Sequence, residues 1–170
     1  MTTYLERLPK HDKLFIPFIM SGDPSPELTI KLALILEEAC ASEQELGVPY
    51  SDPLADGPVI QRASKRALAH KTTITSTMEL AGEMRRRGLK IPIILFTYFN
   101  PVLQLGEESF FALAKQNQVD GLLIPDLPFE ESGRIREKCS EHAITYISLV
   151  APTSKDRMNT ITEHAQGFLS

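Results

Sequence analysis

The feature of this 170-residue sequence that most limits its fold is a regular alternation of short apolar runs with longer amphipathic stretches. The apolar runs have the length and character of buried β-strands, at residues 14–20, 45–48, 91–98, 121–124 and 145–150. Helical patterns lie between and after them, at residues 26–39, 59–70, 74–87, 107–116, 130–142 and 156–164, and residues 168–170 resemble the start of a sixth strand. Strict alternation predicts an α/β fold with parallel strands and right-handed crossovers.

Two architectures have this order of elements, a doubly wound open sheet and part of a (β/α)8 barrel. Each predicted strand is followed by a loop that contains proline or aspartate, and none is followed by the G-x-G-x-x-G turn of dinucleotide-binding folds. This pattern favours the barrel, which needs about 250 residues when complete. We therefore expect an α/β fold of the TIM (β/α)8 barrel type, truncated to about its first five βα units, with residues 1–170 as a single domain.

Composition excludes several classes of protein. The net charge of −4 provides no basic face for nucleic acid. No apolar run approaches the roughly 18 residues that span a bilayer, and residues 1–13 are too mixed and charged for a signal peptide. Cys40 and Cys139 match no metal-ligand spacing, so we expect free thiols, no metal site and a cytoplasmic location. The three arginines at 85–87 are most simply a solvated helix end.

The loop after the second strand, within E-L-G-V-P-Y-S-D-P-L-A-D-G-P at residues 45–58, carries a concentration of polar groups. Its prolines exclude regular structure and lower the entropy lost on ordering the loop. Glu45 lies on the strand, and Asp52 and Asp56 follow in the loop, which is where βα proteins place catalytic groups. Apolar neighbours such as Phe18 and Ile60 would raise the pKa of a carboxyl here and suit it to acid–base catalysis. Judged alone, however, both aspartates are also typical turn residues.

The stretch 45–58 resembles, very specifically, the signature of the tryptophan synthase alpha-chain family. Residues 15–19 with 22–24 are similar to that family's first strand and loop, residues 98–101 to its third loop, and residues 125–128 with 130–131 to its fourth. The resemblance covers essentially all 170 residues. It implies a TIM-barrel lyase of tryptophan biosynthesis that splits indole-3-glycerol phosphate into indole and glyceraldehyde 3-phosphate by retro-aldol cleavage. It also implies no cofactor in this chain and an α2β2 heterotetramer with a beta chain that uses pyridoxal phosphate.

The resemblance also implies roles for particular residues. Glu45 would be the general acid and base, and Asp56 would accept a hydrogen bond from the indole N–H and stabilise the cationic tautomer that precedes cleavage. The substrate-binding residues would be Phe18, Ile60, Tyr98 and Leu123. The beta-chain interface would comprise Pro49, Asp52, Pro53, Asn100 and Asp126. Tyr98, Asn100 and Asp126 could instead be residues that cap loops.

Three features depart from the family pattern, one being that the family has a tyrosine near the pocket at about the position of Ser170. Glu43 and Gln44 stand where the family has small or apolar residues. Alternation places Glu43 toward the barrel interior and Gln44 toward the helices, so we expect a weakened second strand that Glu43→Ala with Gln44→Leu would stabilise. In addition, barrels of this type hold phosphate with loops after strands 7 and 8, which these residues do not include.

Two alternatives to the lyase therefore stay open. One is a catalytically incompetent, truncated barrel that only binds a beta chain. The other is a different phosphate-sugar barrel enzyme, which the loop at 45–58 disfavours. Whether the coding region continues past Ser170 would discriminate the lyase from the binding module.

Overall fold

The computed structural model describes residues 13–54 and 56–150 of the chain. Within them, five parallel strands form one sheet in the order β1-β2-β3-β4-β5. The strands are β1 Phe18–Met20, β2 Gln44–Gly47, β3 Ile93–Phe96, β4 Gly121–Leu123 and β5 Thr145–Ile147. A sequential order is that of a barrel wall, because a doubly wound sheet reverses its strand order at a switch point. The structure thus favours the barrel-type α/β fold.

Helices follow each of the first four strands. They are α1 Pro26–Glu38, α2 Pro58–Ala69, α3 Ile74–Arg86, α4 Phe99–Leu105, α5 Glu107–Gln116 and α6 Gly133–Glu141, with a 3-10 turn at Phe129–Glu131 before α6. Local sequence explains several starts: α1 begins with a proline after a Ser25 side-chain cap, and α3 begins with a capping box between Thr73 and Ser76. Gly106, with φ of 85°, joins α4 directly to α5 in a conformation that favours glycine.

Alternate residues along the strands point to two different layers. Ile19, Leu46, Leu95 and Leu122 belong to the large core between the sheet and the helices. The other face carries Phe18 and Glu45, which are register partners, and a small cluster containing Ile94 and Leu123. This second face is the interior side of a barrel wall, so β2 directs Glu45 toward the interior.

The structure corrects several boundaries. Four of the five strands are shorter than predicted, and β2 has the predicted length but begins one residue earlier. Pro17, which lacks an N–H, immediately precedes β1. The loop predicted around Asn100 and Pro101 is helix α4, where the proline lies in the first turn and its missing N–H is not needed. The last described helix starts at Gly133 rather than at residue 130. The helix and strand predicted at 156–164 and 168–170 lie outside the described residues.

Helix α1 buries only part of its apolar surface. Leu28, Leu32 and Ile35 of α1 are 49%, 41% and 58% exposed, whereas Ile30 and Ala33 are buried. One face of α1 packs on the core, whereas the apolar face that carries the three exposed residues is not covered by any other part of the chain that the structure describes. No helix in the part of the chain that the structure describes is long and apolar enough to cross a membrane.

Glu43 and Gln44 are both fully buried at the start of β2. The Gln44 side-chain amide donates hydrogen bonds to the carbonyl oxygens of Pro17 and Glu45, each at 2.9 Å. The polar side chain predicted to disrupt this strand therefore ties β2 to the segment that leads into β1.

Candidate active site

Glu45 lies on the second strand, β2, with Phe18 of β1 and Ile94 of β3 as its register neighbours. Its side chain is half-buried, and burial raises the pKa of the Glu45 carboxyl above its ordinary value. Gly47, two residues along the same face, leaves the space that the Phe18 ring occupies, since a Cβ at residue 47 would overlap that ring. The small residue thus allows an aromatic ring to lie close to the carboxylate-bearing strand.

Two apolar clusters lie on the same side of the sheet as Glu45. One consists of Ile94, Leu123 and Ile147 with Phe96 against them. The other consists of Met20, Ala63 and Ala67 with Phe18 and Ile60 against them. The rings of Phe18 and Phe96 meet edge to face, 5.4 Å apart, and join the two clusters. The structure therefore brings together three of the four predicted substrate-binding residues, Phe18, Ile60 and Leu123, in one apolar wall beside Glu45.

Asp56 lies at the end of the loop that follows β2, just before α2. Its carboxyl is half-buried; burial raises its pKa above the ordinary value, and a hydrogen bond from the Tyr98 hydroxyl partly opposes that rise. The main chain at this position is held by α2, because the Gln61 side-chain amide donates to the Asp56 carbonyl oxygen at 2.8 Å. The predicted catalytic Asp56 and the predicted pocket residue Tyr98 are thus direct partners.

Tyr98 is only 3% exposed, and it lies at the C-terminal end of β3 where α4 begins. The ring of Tyr50 packs against it, with centroids 5.1 Å apart and planes inclined by 32°. The Tyr50 hydroxyl accepts a hydrogen bond from the Asn100 side-chain amide at 3.0 Å. The loops after β2 and β3 are therefore joined by aromatic and polar contacts next to Asp56.

The residues predicted for a partner interface follow β2, β3 and β4, so all lie at the same end of the sheet. Asp52, Asn100 and Asp126 are exposed and Pro53 is half-exposed. Pro49 is buried within the chain, so the structure does not offer its ring to a partner. Asp126 also accepts a hydrogen bond at 2.9 Å from the backbone N–H of Phe99, the first residue of α4. This bond gives it the capping role that the sequence left open.

Two residues of this region were missed by sequence reasoning. Phe96 is the link between the two apolar clusters, and Tyr50 is the link between Tyr98 and Asn100. Tyr50 lies in the stretch 45–58 that resembles the family signature, but no local sequence pattern indicates which residues it contacts. Among residues 13–54 and 56–150, no three His, Cys, Asp or Glu side chains are grouped so that they could hold a metal ion.

Known proteins resemble this chain in both sequence and fold. A sequence model of the family described as "Tryptophan synthase alpha chain" matches residues 6–170. The chain belongs to the tryptophan synthase alpha-chain family. It is 65% identical over 158 residues to the tryptophan synthase alpha chain of Bacillus licheniformis and 66% identical over 156 residues to that of a Geobacillus species. These matches cover 93% and 92% of the chain, and 59% of each relative.

Solved structures of tryptophan synthase alpha chains have the same fold. The chain matches the crystal structure of tryptophan synthase subunit alpha from Legionella pneumophila with a TM-score of 0.87 and 40% identity, over 92% of this chain and 60% of that one. It matches a chain of the Pyrococcus furiosus tryptophan synthase α2β2 complex with a TM-score of 0.86 and 36% identity, over 92% and 62%. The predicted TIM-barrel fold class is confirmed, and the chain spans about three-fifths of the length of the curated relatives it matches.

Proposed function

We propose that this protein carries the tryptophan synthase alpha-chain activity, the retro-aldol cleavage of indole-3-glycerol phosphate to indole and glyceraldehyde 3-phosphate. The observation that carries the proposal is the half-buried Glu45 carboxyl on the interior face of β2, beside an apolar wall. Residues 1–170 then form one domain of (β/α)8 type. Its apolar wall, which includes Phe18, Ile60 and Leu123, would accept the flat indole ring.

The reaction requires a proton at the indole C3 and the removal of a proton from the glycerol hydroxyl next to the bond that breaks. Glu45 would donate to C3 and give a cationic indolenine tautomer. The Glu45 carboxylate left by that step would then take the proton of the hydroxyl, so that the new C=O bond forms, the C–C bond breaks, and its electron pair returns to the ring as neutral indole. A carboxyl with a raised pKa suits both transfers, because it binds and releases a proton nearer to neutral pH.

Asp56 would accept a hydrogen bond from the indole N–H and stabilise the positive charge that C3 protonation places on the ring. Its half-buried setting strengthens that interaction, because fewer water molecules screen it. A carboxylate has two acceptor oxygens, so Asp56 would be able to accept from both the Tyr98 hydroxyl and the indole N–H.

The partner in this proposal is a tryptophan synthase beta chain, in an α2β2 heterotetramer. The exposed residues Asp52, Asn100 and Asp126 with half-exposed Pro53 would contact it, since they share the end of the sheet that carries Asp56. Pyridoxal phosphate would belong to the beta chain, with no cofactor in this one. The free thiols Cys40 and Cys139 are in keeping with a cytoplasmic location.

The test is indole formation from indole-3-glycerol phosphate by the complete gene product, alone and with a beta chain. We expect indole from the parent and a loss of about 10²–10⁴-fold in Glu45→Gln, because general acid–base groups contribute that much. Glu38→Gln, the same change at an exposed site on α1, is the control and should keep the parental rate. The assignment fails if Glu45→Gln stays within about threefold of the parent. A parent that co-purifies with a beta chain but forms no indole would instead identify a binding module.

A further inference from the structure

Tyr50 occupies a position between three elements that the proposed reaction depends on. It follows β2 in the loop that carries Asp56, its ring packs on Tyr98, and its hydroxyl reaches Asn100 of α4. The reaction described above assigns Tyr50 no role.

The backbone of Tyr50 is held at both its donor and its acceptor. Its N–H donates to the Ser64 hydroxyl oxygen at 2.8 Å, and that hydroxyl donates back to the Tyr50 carbonyl oxygen at 3.0 Å. Ser64 is buried in α2, so this reciprocal pair anchors the Tyr50 main chain to a helix. An anchored main chain and an anchored hydroxyl leave the ring little freedom to move.

The fixed ring restricts Tyr98 in turn. Tyr98 is 3% exposed, and Tyr50 packs on it at a centroid distance of 5.1 Å. The Tyr98 hydroxyl donates to the Asp56 carboxyl, so the orientation of the Tyr98 ring sets where that donor points. Two residues of one loop, Tyr50 and Asp56, therefore contact the same side chain, one through its ring and one through its hydroxyl.

We propose that Tyr50 is a positioning residue that holds the Tyr98 ring, so that the Tyr98 hydroxyl fixes the orientation of the Asp56 carboxyl toward the substrate. Tyr50 also connects Asn100, on the proposed partner surface, to that carboxyl. The inference rests on the proposed function, because it takes Asp56 as the group that meets the indole N–H. A partner that contacts Asn100 would affect the position of Asp56 through the Tyr50 hydroxyl and ring and then through Tyr98.

The first experiment measures kcat and KM for indole formation by the complete gene product with a beta chain. Tyr50→Leu removes both the ring and the hydroxyl, and we expect kcat to fall about 10- to 100-fold, because small misplacements of a catalytic group have effects of that size. Tyr50→Phe keeps the ring packing and loses only the contact with Asn100, so it should restore most of kcat. Parental kcat in Tyr50→Leu, or a Tyr50→Phe variant as slow as Tyr50→Leu, would overturn the proposal.

The second experiment does not depend on activity and follows the Asp56 carboxyl by ¹³C NMR through a pH titration. Burial and the Tyr98 hydroxyl are the influences on this carboxyl in the described part of the chain, and the hydroxyl lowers its pKa. Tyr98→Phe should therefore raise the Asp56 pKa, and Tyr50→Leu should raise it by a smaller amount. Tyr146→Phe, a change at another buried tyrosine on β5, is the control and should leave it unchanged.

The two experiments separate this inference from the proposed function. If the parent forms no indole, the proposed function fails and the titration alone decides whether Tyr50 positions Asp56. If the parent is active but Tyr50→Leu leaves the Asp56 pKa at the parental value, the proposed function stands and the role of Tyr50 is refuted.

Discussion

In the part of the chain that the structure describes, buried charged groups are paired at the N-terminal end of the parallel sheet, but not on its interior face or at its C-terminal end. At the N-terminal end, Arg85 and Asp120 have side chains that are only 6% and 10% exposed, and they form an ion pair. On the interior face, the carboxyl of Glu45 on β2 has no charged neighbour that affects its pKa among the described residues, and at the C-terminal end Asp56 has only a tyrosine hydroxyl. A paired charge supports the fold, whereas a partly buried carboxyl without an opposite charge retains a pKa suited to proton transfer.

The ion pair at the N-terminal end also satisfies main-chain groups. Arg85 donates to the carbonyl oxygens of Leu89 and Ile91, at 2.9 and 2.7 Å, and Asp120 accepts from the N–H of Ile93 at 2.9 Å. These bonds fix the segment between α3 and β3 and the approach to β4. The comparison thus predicts that changes at this end affect stability, and that changes at the other end affect activity.

The largest expected effect on stability comes from breaking the buried pair. Asp120→Asn or Arg85→Met leaves one buried charge without its partner, which costs about 3–5 kcal/mol in the free energy of unfolding. Denaturant unfolding of the complete gene product measures this loss, and the kcat of the folded fraction should stay at the parental value. Arg86→Met, which changes the adjacent arginine whose side chain is 67% exposed, is the control and should lose much less. Equal losses at residues 85 and 86 would contradict the distinction between the two ends.

A smaller effect of opposite sign is expected at Glu45. Because the folded-state pKa of this carboxyl is raised, the folded protein binds more protons than the unfolded chain between the ordinary pKa of 4.5 and the raised value. Stability from this group is therefore lost as pH rises through that window. Glu45→Gln should melt at a higher temperature than the parent at pH 7, and this gain should shrink toward pH 4. Melting curves at both values test the sign, with Glu38→Gln as the baseline; a Glu45→Gln protein that is less stable than the parent at pH 7 would refute it.

The smallest effect is expected at Gln44, where the structure reverses the sequence-based expectation. Gln44→Leu removes the donor to the Pro17 carbonyl, which keeps a second hydrogen bond from the Glu45 N–H at 3.0 Å. The change also removes a buried Gln44 Oε1 that has no hydrogen-bond partner within the described residues. These terms partly cancel, so we expect a net loss of about 1 kcal/mol in the free energy of unfolding. A clear gain in the unfolding midpoint would show that the donor is dispensable.

Much of the site was predictable because its residues act locally or share one topological edge. Parallel strands place their following loops at the same end, so Asp56, Asn100 and Asp126 could be assigned to one end of the sheet from the order of the elements alone. The partners of these residues could not be assigned. The meeting of Phe18 with Phe96, and of Tyr50 with Tyr98, depends on strand register and loop path, which no local pattern encodes.

The sequence by itself determined the alternation of strands and helices and the chemistry of the loop at 45–58, because apolar periodicity and proline act within a few residues. Tertiary structure alone decided which members of similar groups became buried. Three consecutive arginines are chemically identical, yet only Arg85 is buried, where it reaches Asp120 across 35 positions. Arg86 pairs with half-exposed Glu83, and Arg87 pairs with Glu83 and with Glu27 of α1. Likewise, Gln44 is acceptable in the core only because the Pro17 carbonyl lies within reach of its amide. Such outcomes depend on long-range distances, which exist only once the chain has folded.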